Sequence, residues 1–291
     1  MLKKKSNFTI TTIGQGFPAW AQTAVQVPFL FLIAWETVRT WIETRKTRPA
    51  KRCRTVSIVI PTRNEEHHIV RCIRSIAGNP HICEIIVVDA GSNDQTQSLA
   101  REAGAIVLIH ERPIESGGGR GGQIKAGIDK ASGDVVAVVH ADTILPENEI
   151  DRVIAVLNRC PDIVGGAIGC RLDSSLTRFR FIELANSFRA AFLKISFGDQ
   201  VQFFRRSPVV SQNLFPNIPI MEDVEFSIRL HRLGRRTYLF GNALASTRRW
   251  EQAGYRNVSW VIKNVAIYMV TRLRQRPDTS RIYRRYYGPY R

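Results

Sequence analysis

Side chains able to bind a cation or a hydroxyl-rich ligand follow three apolar stretches of the sequence. Glu65 and Asp89 come shortly after the first two stretches, and His140 and Asp142 come directly after the third. Each stretch is rich in β-branched residues, which is typical of buried strands in a parallel sheet. The carboxyl ends of parallel strands share the edge where open α/β folds bind ligands. Carboxylates gathered there are favourable only beside a metal ion, another cation or hydroxyl groups.

His140 and Asp142 have the chemistry of ligands for a divalent metal. Carboxylate oxygen suits Mg²⁺ and Mn²⁺, and an imidazole ligand favours Mn²⁺ or another ion that accepts nitrogen. The structural alternative is that Asp142 caps a helix starting near Glu147. The short motif alone leaves both interpretations open.

Strands and helices alternate through the first half of the chain. This order predicts βαβ units with right-handed crossovers, and therefore an α/β fold with a mostly parallel central sheet flanked by helices. The predicted strands are 56–60, 84–88, 105–109 and 135–139, and the predicted helices are 66–77, 94–103 and 122–131.

Composition narrows the class of protein. The 291 residues are 44% hydrophobic, enough to bury a full core, and 42 Lys and Arg against 25 Asp and Glu leave a net charge of +17. This excess suits nucleic acid, acidic lipid headgroups or phosphorylated small molecules. Five cysteines without a Cys-x-x-Cys pair argue against a disulfide framework or zinc site and fit the cytosol.

A glycine-rich segment at 117–122 imitates a dinucleotide-binding fingerprint, with Asp142 twenty residues after its last glycine. Such glycines should follow a strand directly, but residues 110–116 intervene, so an NAD-dependent enzyme is disfavoured. The favoured interpretation is a loop followed by a helix, with Arg120, Gln123 and the helix N-terminus facing a diphosphate. An ordinary surface loop is the alternative.

A second acidic pair, Glu222 and Asp223, opens a helix predicted to run to about Leu233. These carboxylates could simply complement the helix dipole. An earlier helix, predicted over 176–195, leads into a polar turn that contains Asp199 and Gln200.

The stretches Val-Ser-Ile-Val-Ile-Pro-Thr-Arg-Asn-Glu at 56–65 and Glu-Ile-Ile-Val-Val-Asp-Ala-Gly-Ser-Asn-Asp at 84–94 resemble the opening of a family 2 glycosyltransferase of the GT-A fold. The resemblance covers about 56–250 and implies transfer of a sugar from a nucleotide diphosphate donor. It implies an inverting, metal-dependent enzyme of the hexosyltransferase type that uses Mn²⁺ or Mg²⁺, with a UDP-sugar favoured over a GDP-sugar. Family members commonly carry Asp-x-Asp at the metal loop, where this chain has His140-Ala141-Asp142.

By this resemblance Asp223 is the general base that takes the acceptor proton. The metal site is expected at Asp142 and His140. Residues expected to contact the donor are Pro61, Thr62, Asn64, Glu65, Asp89, Arg120, Gln123, Ala141 and Arg249. Residues expected on the acceptor side are Asp199, Gln200, Glu222 and Trp250.

The segment 246–250 resembles the Gln-x-x-Arg-Trp element of many relatives, but Ser246 replaces the glutamine, which weakens any inference of processive polymer synthesis. The grouping of His-Ala-Asp-Thr, Gly-Asp-Gln, Met-Glu-Asp and Arg-Arg-Trp also resembles a bacterial subgroup of arsenosugar-biosynthesis-type glycosyltransferases.

The two ends of the chain differ from its centre, and the expected division is an extension at 1–54, a GT-A domain at 55–255 and a C-terminal helix with a basic-aromatic tail at 256–291. An amphipathic stripe before residue 45, followed by basic residues, could lie on an anionic membrane; a helix packed on the domain, or a poorly ordered tail, is the favoured alternative. Export is disfavoured because residues 9–16 are too polar to form the hydrophobic region of a signal peptide.

The C-terminal tail interleaves arginines with tyrosines, which suits lipid headgroups or single-stranded nucleic acid, or a merely solvated tail. With enzyme motifs upstream, peripheral contact with the cytoplasmic face of the membrane is favoured over nucleic acid, and the cytoplasm is the expected location. The acceptor stays open, a lipid-linked one included.

Two other functions compete with this interpretation. A sugar-phosphate nucleotidyltransferase would share the architecture but would need a glycine-rich basic loop after the first strand, which 61–65 is not. A nucleic-acid-binding protein would explain the charge but not the carboxylates at the strand ends.

Overall fold

An eight-stranded sheet forms the centre of the structure, a computed structural model that describes residues 52–114, 118–248, 263–274 and 277–287. The strands are β1 Val56–Thr62, β2 Ile82–Asp89, β3 Ile106–Ile109, β4 Val135–Val138, β5 Thr143–Ile144, β6 Ile163–Leu172, β7 Gln202–Arg205 and β8 Arg235–Ala245. The helices are α1 Ile69–Ala77, α2 Thr96–Glu102, α3 Arg120–Lys130, α4 Asn148–Arg159, α5 Thr177–Phe188, α6 Arg206–Ser211, α7 Glu222–Leu233, α8 263–273 and α9 Thr279–Tyr287.

The predicted extension at 1–54 lies outside the described residues except for 52–54, and so do Arg249 and Trp250. None of the described helices is long and apolar enough to cross a membrane. All five cysteines are free thiols.

The strand order is β3-β2-β1-β4-β7-β6-β8-β5. The first four strands are mutually parallel, as predicted, and β6 runs parallel to β8. Strand β7 is antiparallel to both β4 and β6, and β5 is antiparallel to β8. The α/β class is confirmed, but the second half makes the sheet mixed, because β7 and β5 run antiparallel to the strands they pair with.

Alternating side chains cover both faces of the sheet. Ile58 and Ile60 of β1 pack into the core that α1 and α4 share, whereas Val59 packs into the core formed with α3 and α7. Gly127 lets α3 lie close to β1, since a Cβ there would come within 2.4 Å of Val59 Cγ1. The ends of β1 and β2 stay in register up to the pair Thr62 and Asp89.

The helices predicted at 66–77, 94–103, 122–131 and 176–195 differ from the observed ones in their bounds. The helix predicted at 176–195 is α5 followed by a π-helical turn, Arg189–Leu193. The helix predicted at 66–77 begins only at Ile69. Helix α4 has Glu147 as its N-cap residue, so Asp142 does not cap it.

The C-terminal helices α8 and α9 pack against α7 in one apolar cluster, whose buried members are Ile220, Met221, Val224, Tyr268 and Ile282. A partly buried ion pair adds to this contact. Glu225 of α7 accepts hydrogen bonds from Arg272 Nε at 2.6 Å and from the Tyr268 hydroxyl at 2.7 Å.

Burial opposes ionisation of Glu225, but hydrogen bonds from Arg272, Tyr268 and Arg229 outweigh it and lower the pKa of Glu225 to about 2. A carboxyl whose folded pKa lies below its ordinary value stabilises the fold above that ordinary value. The contribution is lost as the pH falls from about 4.5 towards 2.

Replacing Glu225 with Gln should lower the free energy of unfolding by about 3 kcal/mol at pH 7, because the shift of the Glu225 pKa is worth roughly this amount. The loss should shrink by more than half near pH 3. Chemical denaturation of the wild type and variant at both pH values tests this, with the exposed Glu102→Gln as the control. A loss of the same size at both pH values would contradict the ion-pair account.

Candidate active site

A cleft of about 1120 Å³ opens at the carboxyl ends of β1, β2 and β4. Seven residues predicted to bind a donor line it, and so do both predicted metal ligands. The predicted residues in its wall are Pro61, Thr62, Asn64, Glu65, Arg120, Gln123, Ala141, His140 and Asp142. The parallel register explains this gathering, because strands that run side by side end at the same edge.

The loop after β1 is tied to the loop after β2 by hydrogen bonds. Asn64 has a φ of 54°, a left-handed conformation that asparagine tolerates. Its backbone N–H donates to Ser92 Oγ at 2.8 Å, and its side-chain oxygen accepts from the Asn93 N–H at 2.9 Å. The two loops therefore form one rigid wall of the cleft.

Asp89 lies beneath the cleft wall and is fully buried. One oxygen accepts from the Ser92 N–H at 2.8 Å and from Gln97 Nε2 at 2.9 Å, and the other accepts from the hydroxyls of Thr62 and Ser92. These contacts orient the loop that follows β2, so this structure gives Asp89 a positioning role.

Gln123 also supports the cleft from within. Its side-chain amide is buried and donates to the carbonyl oxygens of Thr62 and Val88, each at 2.9 Å. It therefore joins the ends of β1 and β2 to helix α3.

Helix α3 begins at the cleft, and the N-terminus of a helix favours an anion. Gly119 precedes it with a φ of 89°, and a Cβ there would lie 2.7 Å from Pro219 Cα. Only glycine suits both the conformation and the close approach. Arg120 is thereby brought to the acidic pair of α7: its Nε donates to Glu222 Oε1, and its Nη2 lies 3.5 Å from Asp223 Oδ2.

The acidic pair sits at the first turn of α7. Met221 before it has a φ of 64°, which turns the chain sharply into the helix. Glu222 is fully buried, and burial raises its pKa to about 7 although Arg120 opposes the rise. Asp223 is 8% exposed and is thus the less buried member of the pair, but neither carboxylate is among the residues that line the cleft.

The Asp223 carboxylate is held by two backbone groups. Its Oδ2 accepts from the Gly198 N–H and its Oδ1 from the Val224 N–H, both at 2.8 Å. Gly198 also touches the metal loop, since a Cβ there would lie 2.6 Å from His140 Nε2 and 3.5 Å from Asp223 Oδ2. Asp223 and His140 therefore flank the same glycine.

Asp199 and Gln200 lie in the interior behind this glycine. Burial raises the pKa of Asp199. Gln200 is fully buried. Its side-chain oxygen accepts hydrogen bonds from Arg189 Nη2 at 3.1 Å and from the Phe197 N–H at 3.2 Å. The Arg189 guanidinium lies 3.3 Å from the centre of the Phe197 ring. These residues shape the loop beside Asp223 and do not line the cleft.

A family comparison now identifies the chain. The model of glycosyl transferase family 2 matches residues 57–213, more than half of the sequence. This chain belongs to glycosyl transferase family 2. The match spans β1 to the end of α6, and so includes the strands whose ends line the cleft.

Curated relatives of this family 2 enzyme are glycosyltransferases by name. The undecaprenyl-phosphate 4-deoxy-4-formamido-L-arabinose transferase of Pseudomonas fluorescens (strain Pf0-1) is 33% identical over 52% of this chain and 47% of its own length. The probable glycosyltransferase YdaM of Bacillus subtilis (strain 168) is 28% identical over 73% of this chain and 53% of its own. The chain thus spans about half the length of these relatives. The arsenosugar subgroup stays a prediction.

Solved structures share the GT-A fold of this chain. Glucosyl-3-phosphoglycerate synthase of Mycobacterium tuberculosis, solved with Mn²⁺ and UDP, has a TM-score of 0.56 at 21% identity, covering 78% of this chain and 82% of its own. The mannosyltransferase PcManGT of Pyrobaculum calidifontis, solved with GDP-Man and Mn²⁺, has a TM-score of 0.57 at 18% identity, covering 91% and 80%. The predicted GT-A class is confirmed.

The donor atoms of the family 2 cleft suit a metal only in part. No cluster of three or more His, Cys, Asp or Glu side chains that could hold a metal occurs in the part of the chain that the structure describes. Asp142 and His140 supply one carboxylate and one imidazole at the cleft wall. This set fits an ion that takes its other ligands from phosphate and water, and the imidazole favours Mn²⁺ over Mg²⁺.

Sequence reasoning missed several basic residues of the site. Arg63 and Arg112 line the cleft, and Arg248 donates to both carboxylate oxygens of Glu65, at 3.1 and 3.3 Å. Tyr283 and Arg284 of α9 line the cleft from the far end of the chain. The Arg-Arg run before Trp250 was a signal for Arg248, but no motif pointed to α9.

Proposed function

We propose that this glycosyltransferase transfers a sugar, with inversion and with help from a divalent metal, from a nucleotide diphosphate sugar to an acceptor hydroxyl. The observation that carries the proposal is the position of the Asp223 carboxylate. It lies in the first turn of α7, accepts hydrogen bonds from the N–H groups of Gly198 and Val224, and, like His140 of the cleft wall, lies next to Gly198. A UDP-sugar is favoured, with a GDP-sugar as the other donor, because solved neighbours hold UDP or GDP-Man with Mn²⁺.

Asp223 is the proposed general base. Its two oxygens already accept backbone hydrogen bonds, which fix the orientation of the carboxylate. As the acceptor oxygen forms its bond to the anomeric carbon, the hydroxyl proton passes to Asp223. The bond from that carbon to the diphosphate breaks on the opposite side, so the anomeric configuration inverts.

Basic groups of the cleft would stabilise the departing diphosphate. Arg63, Arg112 and Arg120 line the cleft, and the N-terminus of α3 adds backbone N–H groups. Asp142 and His140 would hold the metal together with the diphosphate. A bound divalent ion supplies positive charge to the leaving group.

Replacing Asp223 with Asn should lower turnover by about a hundredfold to ten-thousandfold, because the variant cannot take the proton. Affinity for the nucleoside diphosphate should stay within about twofold, since no phosphate contact is removed. Transfer assays with the donor and acceptor found by screening, and calorimetry with the free nucleotide, measure the two effects. The control is Asp129→Asn on the exposed side of α3. Equal losses of binding and turnover would count against the role of a base.

Removal of the metal should weaken nucleotide binding. Calorimetric titration of UDP and of GDP, each with Mn²⁺ and with EDTA, should give metal-dependent binding of one nucleotide. Asp142→Ala should remove most of the difference between the two conditions, whereas Asp129→Ala should keep it. Unchanged metal-dependent binding by Asp142→Ala would contradict the assignment of Asp142 as a metal ligand. If the folded wild type binds neither nucleotide, the proposed donor is wrong.

We further propose a lipid-linked acceptor reached at the cytoplasmic face of a membrane, a proposal supported by the names of the undecaprenyl-phosphate relatives. An apolar surface supports it as well. Phe181, Phe188 and Phe192 are 58%, 52% and 45% exposed and recur at helical spacing along α5 and the π-helical turn. Arg189 of that turn contacts Phe197, next to Gly198 and the base. Exposed phenylalanines on a strongly basic protein suit an anionic bilayer.

The wild type should co-sediment with phosphatidylglycerol vesicles, and Phe188→Ser with Phe192→Ser should reduce the bound fraction at least severalfold. The control pair is Ile106→Ser with Ile109→Ser, which removes similarly exposed apolar side chains from the edge strand β3. Equal losses in both pairs, or no loss in either, would refute this docking surface.

A further inference from the structure

The C-terminal helix α9 forms part of the donor cleft. Tyr283 and Arg284 lie in the same wall-forming set as Arg120 and Asp142, although they are about 140 residues further along the chain than the metal loop. The family 2 match ends at residue 213, so neither residue belongs to the matched segment. The cleft is therefore completed by a segment outside it.

Two anchors place α9 at the cleft. Ile282, beside Tyr283, is 5% exposed and packs with Ile220, Met221 and Val224. Helix α8, which precedes α9, is joined to α7 by the ion pair of Arg272 with Glu225. Both anchors lie at or near the first turn of α7, the turn that carries the proposed base.

The same contacts indicate the side of the cleft at which α9 lies. The segment just before α7 touches the start of α3, since Pro219 approaches Gly119 and the Ile218 carbonyl approaches Gly121. Helix α9 packs on residues 220 and 221 of that segment. It therefore enters the cleft beside Arg120 and the N-terminus of α3, where an anion is favoured.

The charges of the cleft wall indicate why an additional arginine would help to bind a diphosphate. Arg120 is shared with the carboxylates of Glu222 and Asp223, and Glu65 binds Arg248. Glu65, Glu111 and Asp142 bring negative charge to the wall. Arg63 and Arg112 also line the cleft, but the carboxylates offset part of this positive charge, so a further guanidinium would stabilise a bound diphosphate. Arginine binds phosphate oxygens in a planar two-point geometry that lysine cannot reproduce.

We propose that Arg284 binds the phosphoryl oxygens of the donor diphosphate, with Tyr283 as the neighbouring wall of the same subsite. This inference rests on the proposed function and deepens it, because it adds to the donor site a helix that no family motif covers. The C-terminal helices are then part of the enzyme's substrate site and not merely a basic tail.

Arg284→Ala should weaken binding of UDP, or of GDP if that is the nucleotide bound, by about tenfold or more in Mn²⁺ at 0.15 M salt. Arg284→Lys should give an intermediate loss. The matched control is Arg281→Ala, since Arg281 is an exposed arginine of the same helix that does not line the cleft. Its affinity should stay within about twofold. Binding of the monophosphate should fall by less than about threefold in Arg284→Ala.

The outcomes separate this inference from the proposed function. If the folded wild type binds no nucleoside diphosphate, the proposed function fails. If the wild type binds one and Arg284→Ala binds it equally well, only the role of Arg284 fails. Equal weakening by Arg281→Ala would also overturn it, because the effect would then be one of net charge. Thermal unfolding of each variant reports whether it is folded, and Arg284→Gln replaces the alanine variant if that one is not.

Discussion

The contact of Arg120 with two carboxylates is the interaction on which the site depends. Glu222 is fully buried, and an uncompensated charge at that depth would be strongly destabilising. Arg120 compensates it from the first residue of α3, which stands at the nucleotide side of the cleft. One guanidinium therefore joins the N-terminus of α3 to the helix that carries Asp223. The proposed donor site and the proposed base are thereby joined in one unit.

This contact explains the glycine-rich segment at 117–122 without a dinucleotide site. Helix α3 can reach α7 only if its first turn lies against residues 218–219. A Cβ on Gly121 would come within 2.1 Å of the Ile218 carbonyl oxygen, and one on Gly119 would touch Pro219. The glycines thus permit a close approach of two backbones. They bring Arg120 to its partners, and no NAD site is needed to explain them.

The acceptor side follows a second constraint, the positioning of Gly198. Gln200, Arg189 and Phe197 hold each other in a buried network, and their loop presents the Gly198 N–H to Asp223. Asp199 and Gln200 therefore act on the site through the backbone, not through direct contact with the cleft. The family 2 assignment favours an enzyme over a purely nucleic-acid-binding protein, and the net charge of +17 would suit the proposed anionic ligands.

Sequence alone determined the parallel first half of the fold and the family. Apolar runs ending in Glu65, Asp89 and Asp142 carry their own strand and turn signals, and parallel strands must end at a common edge. Tertiary structure decided which of these side chains line the cleft. Asp89 and Gln123 bond to Thr62, a partner 27 and 61 residues away, and Gln200 lies in the interior, so local sequence patterns do not reveal these contacts. Tyr283 and Arg284 reach the cleft only because α8 and α9 pack on α7, a long-range contact that leaves no local pattern in the sequence.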